Sequence, residues 1–438
     1  MSAFTELRNA LPDSACVNSE GHLSIGGCDT VELAGRYGTP LFVFCRQTFV
    51  NRARETKEAF PDATVFYAAK AFLSVAFCKL VEQEGLNLDV ASGGELHTAL
   101  AAKFPAERMI MHGNNKQDSE LKTAIEAGIG RVAVDSLEEI ERIAAIAHSA
   151  GVKQSVVLRL TPGVRPDTHV HIQTGHHESK FGLPIFGGVA AEAIEKTVSQ
   201  PDLHLAGIHA HIGSNIFSPQ PFEKTVEILF EFLAGVHFKV GVEVGEINLG
   251  GGFGVPFVAG DQPFKVKILG ELVLFTAKSE AEKHGLNLPR LCFEPGRWLI
   301  GNTMVTLYSV GAIKNASKQL TFVSLDGGMS DNIRPALYQA KYDALLANKL
   351  EEEAKLEVTL AGMHCESGDV LAEQVALPES VQRGDIVAMP ATGAYAYSMS
   401  SNYNKKPRPA VVTVAGGNSK LMIRRETYED LIRLEEPL

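Results

Sequence analysis

The chain has 438 residues, of which 45% are hydrophobic and 21% charged, with a formal net charge of −11. That balance describes a globular chain long enough for two domains, and its acidity, spread along the sequence, argues against nucleic-acid or anionic-membrane binding. No apolar run approaches a bilayer-spanning length, and the first residues lack a basic stretch followed by an apolar one, so a cytoplasmic protein is expected. The six cysteines (Cys16, Cys28, Cys45, Cys78, Cys292, Cys365) include no Cys-x-x-Cys pair, which fits reduced thiols and no zinc ribbon. The first 45 residues contain strand-like runs, "GHLSIGG" and "PLFVFC".

From about residue 60 to 295, short apolar runs alternate with helical patterns. The runs are "TVFYAAK" (64–70), "LNLDVAS" (86–92), "RMIMHG" (108–113), "RVAVDS" (131–136), "SVVLRLTP" (155–162), "AGIHAHIGS" (206–214), "GEINLGGG" (245–252) and "RLCFEPG" (290–296). Intervening stretches such as "LEEIERIAAIAHSAG" carry apolar residues at helical spacing, and this one ends in Gly151, a C-cap signal. Eight strand–helix units predict a (β/α)8 TIM-like barrel, with an open doubly wound sheet as the alternative. Beyond about residue 300, runs such as "TMVTLYSVGAI", "KLEVTLAG" and "PAVVTVAGG" alternate with turn residues and lack comparable helices. They predict a mainly antiparallel, Greek-key-like β-domain. The expected domains are a barrel over 46–297 and a β-domain from 1–45 and 298–438, the barrel interrupting the latter.

Barrel chemistry gathers at the C-terminal ends of the strands. Those ends hold Lys70 after strand one, and His209, His211 and Ser214 around strand six. Gly250, Gly251 and Gly252 follow strand seven, and Glu294, Pro295, Gly296 and Arg297 follow strand eight. Each has a bland reading: a snorkelling lysine, core histidines, a tight turn and a strand-end ion pair. Together they suggest pyridoxal phosphate. Lys70 would hold it covalently, the glycines would cradle its phosphate, and Glu294 would keep its ring nitrogen protonated. The histidine-rich stretch at 169–180 lacks a supporting acidic triad, so no metal is expected.

Nine motifs carry a resemblance. They are "FYAAKA" (66–71), "HGNNK" (112–116), "SKFG" (179–182), "HAHIGS" (209–214), "NLGGGFG" (248–254), "EPGR" (294–297), "DGGMSDNIRPALY" (326–338), "CESGD" (365–369) and "GAYAYSMSSNYN" (393–404). In this order, over nearly the whole chain, they resemble the diaminopimelate decarboxylases, in the alanine racemase-like (fold type III) class of pyridoxal phosphate enzymes.

The resemblance implies that Lys70 bears the cofactor and that His211 stacks on its ring. Ser214, Gly251, Gly252, Glu294, Pro295, Gly296, Arg297 and Tyr395 complete its site. Arg297, Arg334, Tyr338, Glu366 and Tyr395 would bind substrate, with Cys365 as proton donor. It also implies a homodimer with shared active sites, the "CESGD" loop reaching into the partner's. "GMHCESGD" has Met363 and His364 where relatives often differ. The reaction implied is decarboxylation of meso-2,6-diaminopimelate to L-lysine and CO2. Two arginines suit a distal carboxylate, which ornithine and lysine lack. Alternatives are a decarboxylase for another substrate (carboxynorspermidine, a siderophore intermediate, a carrier-bound amino acid), an amino-acid racemase, or an inactive regulatory homologue.

Overall fold

The computed structural model describes residues 3–164 and 180–437. The chain divides into two compact units. One comprises Ala53–Gly254 with Pro263–Gly296, and the other takes the chain up to Arg52, Val255–Gln262 and everything from Arg297 on.

The first unit is a closed parallel barrel. Its strands are β1 (Thr64–Ala68), β2 (Asn87–Val90), β3 (Met109–Met111), β4 (Arg131–Val134), β5 (Gln154–Thr161), β6 (Leu203–Ala210), β7 (Glu246–Asn248) and β8 (Arg290–Phe293). Each pairs in parallel with the next, and β8 pairs with β1, which closes the ring. The expected (β/α)8 architecture is therefore present, and the open sheet is excluded. Phe66, Ile110, Ala133, Val157 and Cys292 form one buried cluster, so the barrel is filled rather than hollow.

Local sequence explains the regular strand-to-helix turns. Ser74, Ser92 and Ser136 each stand one residue before a helix and accept the N–H three residues on. Such caps satisfy one of the amides left orphaned at a helix start. Gly151 ends the helix Leu137–Ala150 in the left-handed conformation at φ 67°, as its position predicts. Strand β1 stops at Ala68, two residues earlier than the apolar run suggests; Lys70 lies in a 3-10 turn, Ala69–Ala71.

The second unit is built on a nine-stranded sheet. Leu41–Cys45 lies between Met304–Asn315 and Ala410–Ala415, so the N-terminal segment completes the sheet formed by the end of the chain. The mainly antiparallel expectation holds, with two exceptions. Most pairings are antiparallel, but Leu41–Cys45 runs parallel to Ala410–Ala415, and Thr321–Leu325 runs parallel to Ala354–Ala361. Partners so far apart in sequence need no hairpin, so nothing in their connections enforces antiparallel pairing. Among the described residues, no helix is long and apolar enough to cross a membrane.

Candidate active site

At the C-terminal ends of the barrel strands a buried polar cluster surrounds Glu294, the residue after β8. Its Oε1 accepts from His112 Nε2 at 2.8 Å and from Asn248 Nδ2 at 2.7 Å, and its Oε2 accepts from His209 Nε2 at 2.9 Å. These donors come from the ends of β3, β7 and β6. Attraction and hydrogen bonds from His112 and His209 hold the Glu294 carboxyl well below the usual carboxylate range despite its burial. Burial pushes the His209 imidazole down to about 4. The centre of the cluster is therefore a buried, ionised carboxylate that takes donors from three strands.

His112, His209 and Glu294 also have donor atoms within 4.8 Å of one another, as a cation site would. Both histidine contacts, however, have the length of an N–H donated to a carboxylate. A metal would require both imidazoles to give up those hydrogen bonds.

His211 follows β6, and its Nδ1 accepts the Gly251 N–H at 3.2 Å. Burial and the Lys70 ammonium drive its pKa far below the ordinary histidine value, so the ring is neutral and flat. The Lys70 charge also acts on Asp89 and Glu95. Asp89 ends β2 with a buried Oδ1 that has no partner among the described residues, and burial raises its pKa. Burial likewise pushes Glu95 up to about 7. Lys70 itself is exposed at the barrel mouth.

The glycines have a packing reason of their own. A Cβ on Gly251 would stand 2.1 Å from Glu294 O, and one on Gly252 would stand 2.2 Å from Gly213 O. Gly252 also has φ +102°, a conformation side chains avoid. Gly296 packs against Ala68 and Ala71, and the Pro295 carbonyl accepts the Ala68 N–H at 3.4 Å. The loops after β1, β6, β7 and β8 are thus drawn together backbone to backbone. Ser214 lies on the loop after β6.

The second unit gathers the cationic residues. Arg297 and Arg334 are both buried and both flank Phe257, their guanidinium carbons 5.6 and 4.7 Å from its ring centroid. Arg297 also stacks on Tyr395 at 4.7 Å. Arg334 donates to the Tyr342 hydroxyl, while its buried Nε has no partner among the described residues. Burial and the Arg334 charge lower Arg297 to about 10. Tyr338, at the end of the short helix Arg334–Tyr338, is half-buried and contributes to the field at Arg297. Two like charges so enclosed form a site that favours an anion. Cys365 and Glu366 are exposed in the loop between Ala354–Ala361 and Val370–Pro378.

The resident family of the barrel is clear from sequence comparison. Residues 46–301 match the model of the pyridoxal-dependent decarboxylases, pyridoxal binding domain. The diaminopimelate decarboxylase of Halalkalibacterium halodurans is 46% identical over 96% of this chain and 97% of its own, and that of Bacillus subtilis is 45% identical over 96% of each. The chain belongs to the diaminopimelate decarboxylase family.

Solved structures agree. The diaminopimelate decarboxylase of M. jannaschii in co-complex with L-lysine superposes with a TM-score of 0.91 at 33% identity, covering 97% of this chain and 98% of that one. The Helicobacter pylori enzyme complexed with L-lysine gives 0.85 at 27% identity, covering 93% and 99%. The protein is thus a pyridoxal phosphate-dependent decarboxylase. The barrel-mouth residues fit that group. A buried, ionised carboxylate suits a protonated ring nitrogen, a neutral flat imidazole suits a ring face, and an amine stands at the mouth.

Several supporting residues carry no role in the sequence reading. His112, His209, Asn248 and Asp89 sit at or next to strand ends, where a polar residue beside a buried apolar run is itself a signal, and Glu95 lies in the first turn of the helix Gly93–Ala101. Lys116, in "HGNNK", is a further case. It is buried, and its Nζ donates to Gly113 O and Ala133 O, both at 2.7 Å, and to Glu139 at 3.0 Å. It pins the loop that carries His112. Apart from Lys180, the stretch at 169–180 lies outside the described residues, and so does Ser179 of "SKFG".

Proposed function

We propose that this chain is a cytoplasmic, homodimeric diaminopimelate decarboxylase that converts meso-2,6-diaminopimelate to L-lysine and CO2. The observation that carries the substrate choice is the buried Arg297–Phe257–Arg334 arrangement, supported by the names of relatives at 45–46% identity over nearly the full chain. Planar guanidiniums match a carboxylate fork to fork. A substrate with only an ammonium at its far end would leave that positive charge buried and uncompensated.

When bound, pyridoxal phosphate supplies an electron sink for the charge left at Cα as CO2 departs. The chain's own residues do the rest. Lys70 holds the cofactor covalently. Glu294 would keep negative charge near the ring nitrogen, His211 would serve the ring face, and Ser214, Gly251, Gly252, Pro295, Gly296, Arg297 and Tyr395 would line the cofactor's site. Arg297 and Arg334 take the distal carboxylate, with Tyr338, Tyr395 and Glu366 completing the pocket. Glu366 answers the distal ammonium that accompanies that carboxylate. Cys365 delivers a proton to Cα in the partner subunit's site.

The test is a substrate panel assayed for CO2, with and without added pyridoxal phosphate. Release from meso-diaminopimelate well above that from lysine, ornithine or carboxynorspermidine is the expected result. CO2 from another member of the panel alone would reassign the substrate, and none from any would favour a regulatory homologue.

A further inference from the structure

Next to Cys365 in the sequence lies a buried imidazole that the reaction itself does not use. His364 is 8% exposed, and its ring is held at both nitrogens. Nε2 is 2.8 Å from Ser330 Oγ, and Nδ1 is 3.3 Å from Asn404 Oδ1. Ser330 Oγ is in turn 3.0 Å from Asp331 Oδ1. At the other end, Asn404 Oδ1 accepts the backbone N–H of Cys365 at 3.1 Å. Asn404 does so from the left-handed region, at φ 51°, which asparagine tolerates better than most residues. One row of contacts, Asp331–Ser330–His364–Asn404, therefore ends on the Cys365 amide. We propose that His364 is a positioning residue for Cys365, and that it holds the loop through one proton shared along this row with Asp331.

Donor and acceptor counting leads to the shared proton. Asn404 Oδ1 is fixed as an acceptor by the Cys365 N–H, so the His364 contact is a bond only if Nδ1 carries hydrogen. In a neutral ring Nε2 is then the acceptor, and Ser330 spends its single hydroxyl hydrogen on it. The Ser330–Asp331 contact then needs its hydrogen from Asp331. The row is complete with a protonated Asp331 and a neutral His364, or with the same proton moved to make an imidazolium and a carboxylate. Burial pushes Asp331 up to about 7, although its second oxygen accepts the Gly328 N–H at 3.0 Å. When the shared proton leaves, Ser330 turns its hydroxyl to Asp331 and His364 turns Nε2–H to Ser330. The bare Nδ1 then faces the Asn404 oxygen, and the clamp on Cys365 slackens.

Other charged and titratable neighbours do not replace this row. Tyr308 and Asp326 face Asp331, and Arg425 feels its charge. On the His364 side, the Tyr403 ring lies 5.4 Å away. Asp369 accepts the His364 backbone N–H at 2.8 Å, which fixes the backbone of residue 364 but leaves the Cys365 amide to Asn404.

The test is hydrogen exchange of the Cys365 amide in the holoenzyme, followed by mass spectrometry and corrected for intrinsic pH dependence. Protection should fall at least about fivefold between about pH 6 and 8.5 in the wild type. Asp331→Asn should hold it constant, because a carboxamide donates to Ser330 at every pH. His364→Phe keeps a ring without the nitrogens and should lose the protection throughout. It should lower kcat about tenfold or more with KM nearly unchanged. If His364→Phe does not fold, the exposed Asn404→Ala reports the same loss. Wild-type protection in those variants, or one pH profile shared by wild type and Asp331→Asn, overturns the proposal. The kcat arm rests on the proposed decarboxylation, whereas the exchange arm uses no substrate. Absence of CO2 release with the expected exchange pattern would therefore sink the substrate reading and leave this one standing.

Discussion

Replacing Glu294 by glutamine separates charge from shape at the centre of the barrel mouth. The carboxylate accepts three hydrogen bonds, two at Oε1 and one at Oε2. A glutamine with its carbonyl at the Oε1 position keeps His112 and Asn248. Its amide then faces His209 Nε2, which must become an acceptor. His209 can comply, because its buried Nδ1 has no partner among the described residues and can take the proton instead. All three contacts survive by a tautomer change, but the new Nδ1–H is buried without an acceptor, so the stability cost should be about 1–3 kcal/mol. What is lost is the negative charge proposed to serve the ring nitrogen. Electrostatic stabilisation of this kind is worth a few kcal/mol in a site closed to water, so kcat should fall by about 10²-fold or more. Thermal unfolding and cofactor absorbance measure the first quantity, and CO2 release from meso-diaminopimelate the second. An unchanged kcat with cofactor bound would refute the role given to Glu294. A collapse in stability would refute the tautomer argument. Glu294→Ala, by contrast, strands three buried donors at about 1–3 kcal/mol each and should fold poorly.

Lys70→Ala should abolish turnover and the lysine-bound absorbance of the cofactor, and borohydride reduction of the wild type should label Lys70 on peptide mapping; a label on another lysine would overturn the assignment. Arg334→Ala should raise KM for meso-diaminopimelate by about 10²-fold or more, with little loss of stability because a like charge beside Arg297 is removed; equal effects on residual lysine decarboxylation would make its role structural. His209 titrates at about 4 when folded against about 6.5 unfolded. It therefore contributes stability that is complete above about pH 6.5 and lost as pH falls toward 4, up to about 3 kcal/mol; denaturant titrations of His209→Asn should show a flatter acid limb than the wild type. Mixing Lys70→Ala with Cys365→Ala under subunit exchange should restore activity toward about a quarter of wild type if the two residues serve one site from different subunits; no recovery would place them in the same subunit's site.

Legibility followed the range of the interactions. The barrel is readable because each strand and helix announces itself locally, by an apolar run, a serine cap or a glycine stop. The pairing of Leu41–Cys45 with a strand almost 370 positions later depends on the whole sheet, and only the strand character of the segment is visible beforehand. Two parallel pairings in the β unit escaped for the same reason. At the site, the groups with unusual chemistry for a strand end stand out in sequence: Lys70, the triple glycine and Glu294. The groups that set their state do not. His112, His209 and Asn248 come from three different strands, and only the closed barrel brings them to one carboxylate. The triple glycine shows the opposite limit, since close backbone approach alone requires Gly251 and Gly252 whether or not a phosphate lies beside them.

The two ends of the barrel show why residue type alone could not locate the chemistry. Arg131 opens β4 and Glu246 opens β7, and they form a bidentate pair at the N-terminal ends of the strands. That pair raises the arginine's pKa, and burial together with the Glu246 carboxylate pushes the neighbouring Cys292 thiol up to about 12 against the opposing pull of Arg131. Its charges are fully spent on each other, and the thiol beside them is inert. Glu294 lies four residues after the start of β8, at the opposite end, and takes its hydrogen bonds from two histidines and an asparagine. Its charge is stabilised by burial among these donors, as the role proposed for it at a cationic ring requires. An arginine in the position of His209 would hold the same carboxylate more tightly and neutralise it, and a second carboxylate there would protonate it. Two imidazoles and a carboxamide are the arrangement that buries this glutamate in the charged state. In this barrel the candidate carboxylate is therefore marked by hydrogen-bond donors that include no lysine or arginine, a property of three strands at once.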